Sequence, residues 1–81
     1  MKVRIEVRLK RGHFDPEGDA TSKSLRELGF PAGEVKVSKV YVVDLDVEDE
    51  EKALATAKEM CRKLLANPTK DDFSVKLEER Q

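Results

Sequence analysis

Val3, Ile5, Val7 and Leu9 alternate with Lys2, Arg4, Glu6, Arg8 and Lys10. This period of two predicts a half-buried strand, with one face packed and the other presented to water or a partner. In residues 34–47, EVKVSKVYVVDLDV, the alternation changes phase. Val35 and Val37 share one face, Val40 and Val42 lie opposite, and Val43, Leu45 and Val47 return to the first. Either a central strand covered on both sides or a bulge near Ser38-Lys39, re-aiming the strand across a subunit boundary, produces this pattern. The second is preferred, because so short a chain lacks material for two covering layers. Phe73, Val75 and Leu77 alternate with Ser74, Lys76 and Glu78, predicting a last strand followed by a charged, frayed tail.

A period of three to four residues separates these strands. Ala53, Leu54, Ala57, Met60, Cys61, Leu64 and Leu65 mark one face of a helix in DEEKALATAKEMCRKLLANP. Glu50 and Glu51 suit its positive end, and Arg62 and Lys63 its negative end. Asn67 is expected to take a left-handed cap before Pro68 ends the helix. An earlier helix, about Pro16 to Leu28, is predicted from Asp15 as cap and Pro16 at the first helical position, with Gly29 as its left-handed stop. Its stripe of Ala20, Thr21, Leu25 and Leu28 is poor and Gly18 weakens its first turn, so packing has to hold it. Phe30 is expected to fold back onto the core. The order strand, helix, long bent strand, helix, strand predicts an α+β two-layer sandwich in one domain, residues 1–81, with both helices on one face of a small sheet.

At 81 residues the core is thin, and a partner subunit would help it. Charged residues make up 41% of the chain, but 16 Lys and Arg against 17 Asp and Glu leave a net charge of −1, so no strong field draws nucleic acid or an anionic membrane. Phe14, Phe30, Tyr41 and Phe73 are too few, and too unaccompanied by basic excess, for an RNA-binding sheet. The amino-terminal alternation lacks the apolar run of a signal peptide or membrane span, and a cytoplasmic location is expected.

Candidate chemistry is sparse. Cys61 lies within a helix, with no strand-turn-helix elbow to expose it, and reads as a packed thiol rather than a nucleophile. His13 follows Gly12 in a turn, with no Ser or Cys nearby to activate. The carboxylates at 48–51 and 71–72 read as a helix start and a turn rather than a Mg²⁺ site. Glycines at 12, 18, 29 and 33 form no phosphate loop or dinucleotide fingerprint. The expectation is that this chain carries no catalytic, cofactor-binding or metal-binding residue. The residues alone support a small α+β interaction domain or a free-standing ligand-sensing regulatory domain.

Three separated stretches sharpen this. VRLKRGHFDPEGDA (7–20) resembles the first strand and "LKxGxxDPxG" turn of the PurS family, the small subunit of phosphoribosylformylglycinamidine (FGAM) synthase. VSKVYVVDLDV (37–47) resembles that family's long second strand, and MCRKLLANPTKDDF (60–73) its second helix and exit. The resemblance implies a PurS-like fold, related to the ferredoxin-like one, in a glutamine- and ATP-dependent ligase of purine biosynthesis. It implies that a glutaminase subunit releases ammonia, that a large synthetase subunit uses ATP and Mg²⁺, and that the small subunit, itself a dimer or tetramer, bridges them. Val40, Tyr41, Val42 and Val43 are the oligomer-interface candidates, because they place apolar side chains on both faces of one strand. The partner-docking candidates are Arg4, Arg8, Lys39, Asn67 and Pro68.

Overall fold

A computed structural model describes residues 1–78. The elements are β1 (Lys2–Leu9), α1 (Pro16–Glu27), β2 (Lys39–Asp44), α2 (Glu50–Met60) and β3 (Asp71–Leu77), with a π-helical turn, Cys61–Leu65, continuing α2. The tail expected to fray lies, apart from Glu78, outside the described residues. The three strands form an antiparallel sheet in the order β2-β1-β3. The α+β class and the β-α-β-α-β order are therefore as the sequence predicts.

Register makes the core. Val3 lies between Val43 and Leu77, Ile5 between Tyr41 and Val75, and Val7 between Lys39 and Phe73. Residues directly opposite in a sheet share a face, so these side chains gather on one side. α2 and the π turn cover that side with Ala53, Ala57 and Cys61, which are fully buried, as are Val3 and Ile5. Burying a side chain such as Ile5 contributes about 1.5–3 kcal/mol. Asp49 caps α2, its carboxylate accepting the Lys52 N–H at 3.1 Å.

The covering of the sheet falls to α2 alone. α1 begins as expected, with Asp15 as cap and Pro16 in the first turn, and Gly29 follows it at φ 96°. Yet α1 makes no substantial contact with the strands or with α2. Its buried residues are Gly18 and Ser22 rather than the expected stripe. They face the extended segment 33–37, where a Cβ on Gly18 would strike the Val35 carbonyl and the Ser22 hydroxyl donates to the Gly33 carbonyl at 2.5 Å. Phe30 does not return to the core: it is 57% exposed, and its N–H donates to the Leu25 carbonyl at the end of α1.

The second strand divides where its pattern changes phase. Pairing with β1 starts at Lys39, while residues 34–38 run on without a place in the sheet. At the end of α2 two expectations are corrected. The Ala66 N–H donates to the Cys61 carbonyl, five residues back, at 2.9 Å. This wider turn carries Leu64 round to solvent, 83% exposed, while Leu65 stays against the core. Asn67 is not left-handed, since no residue other than glycine has positive φ among the described residues. Ala66 leaves the helix in an extended conformation, and the Asn67 side chain instead accepts the Thr69 N–H at 2.9 Å in a local turn.

Candidate protein-docking surface

The even-numbered residues of β1 point away from α2. Arg4 is flanked by Val42 and Lys76, Glu6 by Val40 and Ser74, and Arg8 lies beside Asp72. Val40 and Val42 are 45% and 52% exposed there. Arg4 reaches Glu78 at 3.9 Å and Arg8 reaches Glu6 at 3.7 Å. Ser38 also donates its hydroxyl to Glu6, at 2.9 Å. The Arg8–Glu6 pair is exposed, and exposed ion pairs of this length contribute little stability, so the Arg8 guanidinium can exchange partners cheaply. The result is an open face of mixed charge around two valines, with an open groove of about 990 Å³ at the end formed by Lys2, Arg4, Val42 and Asp44.

This face collects only some of the candidate residues. Arg4, Arg8, Val40 and Val42 share it. Tyr41 and Val43 turn the other way and pack against the core of their own chain. Lys39, opposite Val7, falls on the α2 side of the sheet edge. Asn67 and Pro68 are exposed in the loop that follows the π turn. Besides Leu64, three exposed apolar side chains outside the sheet, Phe14, Leu28 and Phe30, were missed from the sequence. The poor stripe of α1 was the signal available for them.

The residues with candidate chemistry lie apart. Cys61 is fully buried, and its burial pushes the thiol pKa up, away from the reactive thiolate. His13 is exposed at a cleft of about 220 Å³ between α1 and segment 33–36. Among the described residues no three His, Cys, Asp or Glu side chains are placed to hold a metal ion. Nor is any helix among them long and apolar enough to cross a membrane. The most constrained carboxylate is Asp15. It accepts the N–H of Gly18 and the N–H of Val37, both at 2.8 Å. These two bonds, that to Gly18 first, hold its pKa below the usual value.

A three-stranded antiparallel sheet open on one face and covered by α2 on the other defines a small α+β module. The chain belongs to the PurS family: the family's sequence profile, described as phosphoribosylformylglycinamidine (FGAM) synthase, matches residues 2–79. It is 43% identical over 72 residues to the PurS subunit of phosphoribosylformylglycinamidine synthase from Archaeoglobus fulgidus, covering 88% of this chain and 90% of the relative. The crystal structure of PurS from Methanocaldococcus jannaschii, a subunit of formylglycinamide ribonucleotide amidotransferase in the purine biosynthetic pathway, superposes with a TM-score of 0.87. The two are 37% identical, over 99% of this chain and 98% of the other. A chain of the PurLQS structure from Thermotoga maritima gives a TM-score of 0.86 at 29% identity, with 95% of each chain covered.

Proposed function

We propose that this chain, as one PurS-like domain over residues 1–81, is the non-catalytic bridging subunit of FGAM synthase. It couples a glutaminase subunit to a synthetase subunit in purine biosynthesis. The observation that carries this reading is the near full-length likeness to a chain found within the PurLQS structure. The Asp15-Pro16 turn, the strand that divides at Lys39 and the open sheet face are consistent with it. ATP and Mg²⁺ belong to the synthetase subunit, and this chain contributes no cofactor ligand. Its place of work is the cytoplasm.

The chemistry explains why a bridge is needed. Ammonia released by a glutaminase is protonated and diluted in open solvent, whereas docked active sites keep it at high effective concentration. The docking face is the outward side of β1, with Arg4 and Arg8 offering charge to a partner. Lys39, opposite Val7 at the sheet edge, and Asn67 and Pro68, in the loop before β3, extend the contact. A second copy of this chain covers Val40 and Val42. Those valines lie on β2, the strand at the edge of this face, which leaves Arg4 and Arg8 on the central strand β1 to the other partner.

The test is reconstitution with the two larger subunits, measuring glutamine-dependent and ammonia-dependent FGAM synthesis with and without this chain. Omitting it is expected to uncouple glutamine hydrolysis from synthesis, while concentrated ammonia restores part of the product. Equal glutamine-dependent rates in both mixtures would refute bridging, and glutaminase activity from the isolated chain would refute a non-catalytic role.

A further inference from the structure

Given the self-association proposed above, we infer that α1 is an edge guard. Through Asp15, Gly18 and Ser22 it closes one backbone edge of the extended segment 33–37, so that when copies of this chain associate a strand adds only at the other edge and the shared sheet ends there. In an extended chain the N–H and C=O of one residue point to the same edge, and those of the next residue to the opposite edge. The contacts of α1 all fall on odd-numbered residues. The Asp15 carboxylate accepts the Val37 N–H at 2.8 Å with one oxygen, while the other holds the Gly18 N–H. The Ser22 hydroxyl donates to the Gly33 carbonyl, and Arg26 donates to that hydroxyl at 3.0 Å. Between them Gly18 lies against the Val35 carbonyl, which a Cβ would strike.

The same edge continues into β2. The Leu45 N–H donates to the Met1 carbonyl at 2.8 Å, which in this register makes Val43, Tyr41 and Lys39 the residues bonded to β1. The odd-numbered edge is thus taken along its whole length, by α1 over 33–37 and by β1 from Lys39 onward. The even-numbered edge is free: among the described residues no backbone hydrogen bond reaches the N–H or C=O of Glu34, Lys36 or Ser38, and β2 is the outer strand in the order β2-β1-β3. Such a row of free groups is a template for another strand. The same edge of a second copy fits it, since an isologous contact about a two-fold axis closes on itself. A segment open on both edges would go on adding strands. This work also accounts for the composition of α1, whose buried residues are Gly18 and Ser22 rather than an apolar stripe.

Asp15→Asn with Ser22→Ala opens the guarded edge. Asparagine caps a helix as well as aspartate does, but its single acceptor oxygen serves Gly18 or Val37 and not both, and alanine leaves the Gly33 carbonyl free. The experiment is sedimentation of the full chain, wild type and double variant, over a wide range of concentration, with circular dichroism to follow folding. The wild type is expected to stop at one closed size. The variant is expected to rise in mean mass by about twofold or more as closed assemblies join through the opened edge. Adding Val37→Pro, which removes the N–H that Asp15 had covered, is expected to restore the wild-type size. Should the double variant lose its helices, Asp15→Asn alone is read in the same way. A folded variant of unchanged size, or large species that Val37→Pro does not remove, would overturn the guard. A wild type that stays monomeric would overturn the self-association and the guard with it.

Discussion

Cys61 shows how an isolated reactive residue type is settled by its surroundings. The thiol sits where α2 meets the sheet, fully buried, and behaves as a small hydrophobe. Replacing it with serine brings a hydroxyl into an apolar site, at a cost of about 1–3 kcal/mol. Cys61→Ser is therefore expected to lower the denaturation midpoint while leaving glutamine-dependent turnover of the reconstituted ligase unchanged. Denaturant titration and a steady-state assay separate the two. Lost turnover with unchanged folding and assembly would assign the sulfur a chemical role. The placement of Cys61 on the apolar stripe was legible in the sequence, because Ala53, Ala57 and Cys61 recur at helical spacing. Asp15 was legible only in part. Its cap to Gly18 is a local matter of three residues, whereas its bond to Val37 reaches across 22 residues and leaves no trace in residue spacing.

At the scale of elements, what could be read was whatever a local period decides. The alternation of β1 fixed its inner face, and the phase change in residues 34–47 fell where pairing begins, at Lys39. The π turn was not legible, since CRKLL fits an ordinary helix and only its junction with the core selects the wider hydrogen bond from Ala66 to Cys61. The seating of α1 was missed because apolar periodicity was taken as the guide, whereas the buried side of this helix is made of Gly18 and Ser22. That seating is open to a direct check. Alanine at position 18 favours an isolated helix by about 0.8–1 kcal/mol, but its Cβ would meet the Val35 carbonyl. Gly18→Ala is expected to weaken α1, by about 1–3 kcal/mol as in other overpacked sites, read as faster exchange of its amides. Slower exchange would mean that α1 does not rest on Val35.

The whole molecule measures 48 × 33 × 14 Å, with a radius of gyration of 15.9 Å, against about 12 Å for a compact chain of this length. So flat a body leaves much of its surface for other chains. If a second copy covers the valines of the open face, Val42→Glu places a carboxylate in that contact without disturbing the α2 side of the sheet. It is expected to weaken self-association by about tenfold or more, measured by sedimentation over a range of concentrations; an unchanged dissociation constant would move the interface elsewhere. The strand order has a consequence for how the chain reaches this shape at all. β1 is made first and lies in the middle, yet its nearest paired residues in the chain, Val7 and Lys39, are more than thirty residues apart, and its other neighbour arrives only at the carboxy-terminal end. No strand pair among the described residues is a hairpin. Every pairing closes a long loop before it gains a contact, so the sheet assembles late and slowly, on the millisecond-to-second scale of topologies with distant contacts rather than that of helical bundles.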